Sequence, residues 1–350
     1  MVAAIGLDIG SSAVRAARIK QGRRGSTLEQ IGQVQLPAGA VSDGEIIEPD
    51  VVVNALKQLW RTFRLRNRKV ALGLASQQVV VRRLDLPYMT EAELRSSLPL
   101  QVDGLIPIPV DQAVLDFCLI GEREGEDGAR QIRILLVAAQ RATVDELLAV
   151  VRGANLEPVA IDLDAFAALR SLAPPELFDT PVAEMLVDVG STVTDLIVHQ
   201  NGAPHFVRTV LFGGETITNG LMAELDIDHR TAEEVKSLGT NGAGEMVDDG
   251  GAAELVRAYV QRLTDEIRGS IDYCTAQRDI PPIERIVLTG GSSKLPQLAE
   301  QLADGLNLDI TTGSPLSSFE RTKISLADEQ LREAEPFLAV AVGLALGAES

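Results

Sequence analysis

The sequence predicts an α/β protein made of two related halves that face each other across a cleft. One motif occurs twice, at residues 5–12 and 186–192: an apolar strand, an aspartate near its end, and a Gly-Ser turn. A similar strand, followed by a Gly-Gly turn, lies at residues 286–293. Strands and helices alternate around these motifs, and that order favours layers of helices on a sheet, with ligands at the strand ends.

The first half opens with the pattern of a β-hairpin. Residues 3–20 alternate between apolar and polar side chains on both sides of the Gly-Ser turn, which predicts two strands. Apolar residues on one face of 51–63 predict an amphipathic helix. The apolar runs at 70–75 and 79–84 predict two further strands.

Residues 84–158 differ in their residue pattern from the preceding segment and are predicted to form an inserted α+β subdomain. Thr90 and Glu93 have the spacing of a capping box, which predicts the start of a helix. We expect this helix to stop near Ser97, because Pro99 disfavours a helical conformation in the residue before it. Strands at 111–119 and 131–139 and a helix at 143–154 complete the subdomain.

The second half repeats the pattern of the first. Residues 180–206 run as strand, Gly-Ser turn, strand, Asn-Gly turn and strand, so their match with residues 3–34 predicts an internal repeat at the scale of a domain. A Gly-rich and Asp-rich segment at 239–251 predicts a loop. Further predicted elements are a helix that opens at Gly213, helices at 231–238, 253–277, 295–306 and 325–347 with a break at Pro336, and a strand at 283–288.

Composition limits the classes of function. The chain has 350 residues and a net charge of −18, and its 45% hydrophobic residues include few aromatics. This predicts two or three domains with aliphatic cores and disfavours nucleic acid as a partner. Cys118 and Cys274 form no disulfide framework and suit a reducing cytosol. His199, His205 and His229 lack the spacing of a zinc site, which favours structural roles.

Two segments are candidates for membrane contact. The longest apolar run, residues 337–346, is too short to span a bilayer and has no charged face, so it predicts a buried helix. A cationic stretch follows the first helix, and we interpret it as a solvated edge, with an anionic membrane or nucleic-acid surface as the alternative. The N-terminus lacks a basic region, so we expect no signal peptide. The cationic residues are Arg61, Arg64, Arg66, Arg68 and Lys69.

The repeated turns have the chemistry of phosphate binding. Each offers backbone N–H groups and hydroxyls, and glycine lets the backbone approach a phosphate closely. The aspartates before the turns, Asp8 and Asp188, stand where a divalent cation would bridge them to a polyphosphate through water. Two such turns that face each other predict a clamp around one nucleotide.

These motifs resemble those of the actin-like ATPase superfamily, in which two Asp-x-Gly turns bind phosphate and a Gly-Gly turn lies beside the adenosine. Within it the chain most resembles the PilM family of type IV pilus assembly, over essentially its whole length. The most specific matches are Leu-Pro-Tyr-Met at 86–89 and Ile-Pro-Ile-Pro at 106–109, because they lie in the insertion rather than in the nucleotide-binding core. Further matches are residues 8–15, 81–85, 135–139, 159–164, 213–218, 232–236 and 339–346.

The resemblance implies a Mg²⁺–nucleotide site, with ATP or ADP as the ligand. Asp8 and Asp188 are expected to hold the Mg²⁺ ion through water. Arg15 stands where the family more often has lysine, so its planar guanidinium changes the contact geometry. For Glu233 and Lys236, a solvated ion pair on one helical face is the alternative. The other residues expected to contact the nucleotide are Gly10, Ser11, Ser12, Gly190, Ser191, Thr192, Thr194, Gly213, Gly214, Glu215, Gly290, Gly291 and Ser292.

The resemblance also implies an actin-like two-domain α/β fold with a nucleotide cleft and an inserted subdomain of the kind called 1C in FtsA-like proteins. The expected subdomains are 1A (residues 1–83, 159–184 and 330–350), 1C (84–158), 2A (185–220 and 282–329) and 2B (221–281).

The function that the resemblance implies is that of a cytoplasmic scaffold at the inner membrane. A PilN-like membrane protein would insert its N-terminal cytoplasmic peptide between subdomains 1A and 1C. Other inner-membrane pilus components would join it, and the chain itself would not enter the membrane. Two alternatives stay open: a filament-forming cell-division or shape protein of the FtsA or MreB type, and a small-molecule kinase. Hydrolysis, slow at most, would need an acid such as Asp162 or Asp164 to position water.

Overall fold

The computed structural model describes residues 4–22, 25–125, 128–173, 182–238, 251–277, 280–317, 319, 324 and 328–348. Parts of four predicted segments, at 3–20, 180–206, 239–251 and 325–347, lie outside these ranges. The strands are β1 (Ile5–Ile9), β2 (Ala13–Gly22), β3 (Gly25–Gln35), β4 (Val41–Ser42), β5 (Glu45–Ile46), β6 (Lys69–Leu74), β7 (Val80–Pro87), β8 (Ala113–Glu124), β9 (Arg130–Gln140), β10 (Glu157–Leu163), β11 (Ala183–Val189), β12 (Thr194–Gln200), β13 (Ala203–Val210), β14 (Ile283–Thr289) and β15 (Asp309–Thr312). The helices are α1 (Pro49–Thr62), α2 (Glu91–Val102), α3 (Arg141–Gly153), α4 (Asp164–Leu172), α5 (Gly214–Leu225), α6 (His229–Leu238), α7 (Gly251–Thr275), α8 (Leu298–Leu306), α9 (Asp328–Ala334) and α10 (Ala339–Gly347).

Two five-stranded sheets have the same topology. The strand order is β3-β2-β1-β6-β10 in the first sheet and β13-β12-β11-β14-β15 in the second. The central strand β1 pairs antiparallel with β2 and parallel with β6, and β11 pairs in the same way with β12 and β14. Each Asp-x-Gly-Ser motif therefore ends the central strand of its own sheet. This match confirms the predicted internal repeat.

The first sheet packs against two helices. Val52, Leu56 and Leu59 of α1 are fully buried, so the predicted apolar face of this helix is the one that meets the sheet. Helix α3 joins the same core through Leu147 and Val151. The sequence assigns α3 to the inserted subdomain, and the core that α3 joins also contains Ala139 of β9 in the insertion.

The insertion contains a separate three-stranded sheet, β7-β9-β8, with α2 packed on it. The predicted capping box forms at the start of α2. The predicted stop near Ser97 is wrong, because the helix continues through Pro99 to Val102. Leu94, Leu98 and Val102 are buried in the core of the insertion. These contacts outweigh the one backbone hydrogen bond that proline cannot donate.

Helices α4 and α10 lie side by side between the two sheets. A Cβ atom at Gly343 of α10 would lie 1.7 Å from the carbonyl oxygen of Ala167 in α4, so only glycine permits this approach. Residues 339–345 are buried, which confirms the buried helix predicted at 337–346. In the described part of the chain, no helix combines the length and hydropathy that a bilayer crossing requires.

Candidate nucleotide-binding cleft

Two matching turns face each other across the cleft between the sheets. In each turn the glycine amide donates to the carbonyl oxygen three residues ahead, from Gly10 at 3.1 Å and from Gly190 at 2.9 Å. The tips of the turns touch, because the hydroxyl oxygens of Ser11 and Thr192 lie 2.7 Å apart. A polyphosphate beside the tips would therefore meet hydroxyls and amides from both halves of the protein.

The third predicted turn packs closely against the second. The Ser292 hydroxyl donates to the carbonyl oxygen of Gly190 at 2.7 Å. Gly290 has a φ of 88°, which favours glycine, and a Cβ atom there would lie 2.3 Å from Oδ1 of Asp188. The second and third motifs thus form one continuous backbone wall of the cleft, and glycine at 290 is what allows their approach.

Arg15 is buried beside the first turn. Its guanidinium forms an ion pair with Asp8 at 3.1 Å and donates to the Ser12 hydroxyl at 3.3 Å. It also lies over the ring of Phe337. The planar fork bridges a carboxylate and a hydroxyl, which a lysine ammonium would not do in the same geometry. Burial raises the pKa of Asp8, and the neighbouring Arg15 acts in the opposite direction.

Four carboxylates gather in the cleft: those of Asp8, Asp164, Asp188 and Asp195. Burial raises the pKa of Asp188 to about 7, and the charges of Asp195 and Asp8 add to the effect. Burial also raises the pKa of Asp195 to about 6. The pKa of Asp164 lies well above its ordinary value, because of burial first and then the surrounding carboxylates. Of these four carboxyls, that of Asp8 is paired with Arg15.

This cluster fits a divalent cation. Carboxylate oxygens are the ligands that Mg²⁺ prefers. Within the described residues, Oδ1 of Asp164 is buried and has no hydrogen-bond partner, so a cation nearby would offset its desolvation. Asp8 and Asp188, the residues predicted to hold Mg²⁺, belong to the cluster. Asp195 is not among the predicted site residues, although a lone acid in the apolar strand β12 is a visible signal.

Polar side chains of α5 and α6 form another wall of the cleft. The Lys236 ammonium donates to the Thr218 hydroxyl at 2.7 Å and forms an ion pair with Glu233. Nε2 of His229 lies 3.1 Å from Oε1 of Glu215. Ligand atoms of Glu215, His229 and Glu233 all lie within 4.8 Å of one another, a spacing compatible with a metal ion. The sequence predicts a structural role for His229, but the packing of α6 against α5 places it in the cleft.

A cavity of about 660 Å³ connects these features, and it falls in the size range of small-molecule sites. Of the residues predicted to bind the nucleotide, all but Thr194 and Gly213 line this cavity. Thr194 is fully buried and donates to the carbonyl oxygen of Phe212 at 2.7 Å, so it supports the second turn from behind. Gly213 lies against the same turn, where a Cβ atom would be 2.3 Å from the carbonyl oxygen of Ser191.

Two edge strands with exposed apolar side chains, β8 and β10, belong to the insertion and to the first sheet. Strand β10 is the edge of that sheet and β8 is an edge of the insertion sheet. Val159 and Ile161 of β10 are 40% and 37% exposed, and Leu119 of β8 is 46% exposed. Cys118 and Ile120 of β8 pack against the core cluster that includes Ala165 of α4, the helix that follows β10. An open strand edge with exposed apolar side chains can accept an extended peptide.

A family model described as type IV pilus assembly protein PilM matches residues 6–349, which is almost the whole chain. The chain belongs to the PilM family. It is similar to a solved PilM-PilN type IV pilus biogenesis complex, with a TM-score of 0.87 and 28% identity, covering 100% of this chain and 99% of that one. This PilM-family chain is thus an actin-like protein of type IV pilus assembly.

More distant relatives share the fold of this PilM-family chain. The cell division protein FtsA of Neisseria meningitidis serogroup B is 25% identical over 350 residues, which cover 88% of this chain and 83% of the relative. The structure of MreB 5 of Spiroplasma citri bound to AMPPNP has a TM-score of 0.54 at 13% identity, and the match covers 99% of this chain and 95% of that one. These similarities confirm the predicted actin-like fold.

Proposed function

We propose that this chain is a nucleotide-binding scaffold of type IV pilus assembly. Mg²⁺ with ATP or ADP would occupy the cleft, and the N-terminal cytoplasmic peptide of a PilN-like inner-membrane protein would occupy the groove between β8 and β10. The main support is the pair of matching turns whose hydroxyls meet at 2.7 Å beside buried carboxylates. A polyphosphate with a divalent cation is the ligand that combines both kinds of group.

The cleft residues divide by chemistry in the proposed complex. Amides and hydroxyls of the two turns, together with Arg15, would hold phosphate oxygens. Asp8 and Asp188 would hold Mg²⁺ through water, and the ion would supply positive charge to the phosphates and to the carboxylate cluster. Glu215 and Lys236 would face the ribose and base.

At most slow hydrolysis is proposed. Asp162 forms an ion pair with Arg170 at 2.8 Å, outside the cleft. Asp164 lines the cleft and is therefore the acid that we propose to position water. Its raised pKa disfavours the ionised form that would accept a proton from that water, which fits slow turnover.

The peptide site rests on separate support. Strand β10 presents an open edge, and the neighbouring β8 adds apolar surface on the other side of the groove. An extended peptide could pair with β10 and place alternate side chains against Val159, Ile161 and Leu119. The partner is inferred from the PilM-PilN complex to which the whole chain is similar. Binding of such a tail would hold the chain at the cytoplasmic face of the inner membrane.

A titration with a fluorescent peptide tests the groove. The variant Val159→Lys/Ile161→Lys replaces two exposed apolar side chains, so its fold should persist. We expect its affinity for the tail to fall about tenfold or more, since each side chain buries apolar area in the complex. Leu100→Lys is the matched control, because Leu100 is an 84% exposed leucine on α2, and this variant should bind as the wild type does. Equal binding by all three proteins would contradict the groove.

Titration with ATP in Mg²⁺ and in EDTA tests the cleft. We expect Mg²⁺ to tighten binding to the wild type, and Asp188→Asn to abolish this gain without changing affinity in EDTA. Asp304→Asn, an exposed aspartate of α8, controls for the loss of one negative charge. Wild-type affinity that is the same in Mg²⁺ and EDTA would remove the proposed metal role of Asp188.

A further inference from the structure

A cationic surface lies at the end of the first domain opposite the cleft. It consists of Lys57, Arg61, Arg64, Arg66 and Arg68, all exposed, and we call it the α1 basic surface. The chain as a whole has 50 acidic and 32 basic residues, yet residues 51–84 contain no aspartate or glutamate. The surface is thus a local reversal of charge on an acidic protein.

A tight turn gathers these cations. Helix α1 ends at Thr62, so Arg64 and Arg68 do not continue one helical face with Arg61. Instead, Arg64 adopts a φ of 52° and the Leu65 amide donates to the carbonyl oxygen of Trp60 at 3.0 Å. This turn folds the loop back against the last turn of α1 and brings side chains from both onto one end of the domain.

The cations of this surface have no acidic partners among the residues that the structure describes. Within the described ranges, Lys57, Arg61, Arg64 and Arg66 form no ion pair. A group of like charges without counter-charges is available to an external polyanion. Several other exposed cations are paired: Arg95 with Glu91, Arg130 with Glu122, Arg208 with Glu266 and Arg230 with Glu234.

The α1 basic surface adjoins the start of the peptide groove. The Glu157 amide, at the first residue of β10, donates to the carbonyl oxygen of Arg68 at 2.8 Å. The other end of β10 leads into α4 and the cleft. A seven-residue strand spans about 23 Å, so the surface and the nucleotide lie at opposite ends of the groove.

We propose that the α1 basic surface binds the anionic phospholipid headgroups of the membrane in which the partner is anchored. This proposal rests on the proposed function, because the partner's tail in the groove would bring the surface to the bilayer. Lysine and arginine are attracted to an anionic leaflet within about a Debye length, about 10 Å, while the acidic remainder of the protein lies farther away and is screened. The membrane is favoured over nucleic acid because the surface adjoins the site for a membrane protein's tail.

Binding of the full chain to lipid vesicles tests the proposal. The vesicles consist of phosphatidylcholine, with or without phosphatidylglycerol. Each composition is tested both with the tail peptide displayed on a lipid anchor and without peptide. We expect phosphatidylglycerol to tighten wild-type binding to peptide-bearing vesicles, with a gain that declines as salt is raised. The affinity of the variant Arg61→Gln/Arg64→Gln/Arg66→Gln for anionic vesicles should fall about fivefold for each cation removed, about a hundredfold in all. Its affinity for neutral vesicles should not change.

The matched control removes three exposed cations from the second domain. Arg230→Gln/Arg257→Gln/Arg262→Gln has the same net charge as the test variant and should keep the full gain from phosphatidylglycerol. If wild type fails to bind the peptide on neutral vesicles, the proposed function fails. If it binds the peptide but gains nothing from the anionic lipid, or if the control loses as much as the test variant, the membrane proposal is overturned. Tighter binding to duplex DNA than to anionic vesicles would also overturn it.

Discussion

Asp188 is expected to make the nucleotide-free protein less stable as the pH rises. Its pKa is raised from an ordinary value of 3.8 to about 7, first by burial and then by the carboxylates of Asp195 and Asp8. The folded protein keeps a proton there that the unfolded chain has released, so stability falls between about pH 4 and pH 7 and levels off above that range. At about 1.4 kcal/mol for each tenfold change in proton affinity, the loss is about 4 kcal/mol.

The variant Asp188→Asn removes this titration while keeping the shape of the side chain. We expect its free energy of unfolding to match that of the wild type near pH 4 and to exceed it by about 4 kcal/mol at pH 8. Urea unfolding without divalent cations measures both values. The control Asp304→Asn should show no gain at pH 8. An Asp188→Asn variant no more stable than the wild type at pH 8 would refute the reasoning.

The same titration should give nucleotide binding the opposite pH dependence. Mg²⁺ needs the ionised carboxylate, which is a small fraction of Asp188 at pH 6 and most of it at pH 8. Because the pKa of Asp188 is about 7, the affinity for Mg²⁺–ATP should be about tenfold weaker at pH 6 than at pH 8. The affinity measured in EDTA should lack this dependence, and an equal slope in both conditions would assign the titration to another group.

Three further substitutions test individual contacts in the cleft. Gly290→Ala should lower the free energy of unfolding by more than about 1 kcal/mol and weaken nucleotide binding, because φ is 88° and the new Cβ would meet Asp188; thermal unfolding and ATP titration measure the two effects. Arg15→Met should cost about 3–5 kcal/mol in urea unfolding at pH 8, since it leaves Asp8 buried without its ion pair, whereas Arg15→Lys should retain part of the stability. Asp164→Asn should slow phosphate release at saturating ATP by about tenfold or more while leaving ATP affinity unchanged, and unchanged release would remove Asp164 from hydrolysis.

The features that the sequence predicted best have local signals. The strand and turn at 5–12 and at 186–192 form from adjacent residues, so their repetition alone indicated two related halves. The capping box of α2 is likewise a short pattern. Its predicted stop near Ser97 is wrong because the burial of Val102 depends on a sheet of which two strands, β8 and β9, come later in the chain.

The parts of the cleft that the sequence did not predict depend on long-range packing. Asp195 joins the carboxylate cluster through the pairing of β12 with β11, and His229 reaches Glu215 through the packing of two helices. Thr194 precedes Asp195 of the cluster in sequence, yet its hydroxyl donates a hydrogen bond to the carbonyl oxygen of Phe212 behind the turn. The spacing of residues along the chain does not distinguish a side chain that faces the cleft from one that packs behind it.

Calorimetric titration with the N-terminal cytoplasmic peptide of a PilN-like protein, with and without Mg²⁺–ATP, tests whether the chain is a nucleotide-dependent scaffold. We expect saturable binding of micromolar affinity or tighter, with a different affinity in the two states, because a nucleotide that favours one closure of the cleft also changes the adjoining groove. The ratio of the two affinities gives the coupling free energy. No peptide binding in either state, while ATP itself binds, would contradict the scaffold and favour a filament-forming protein.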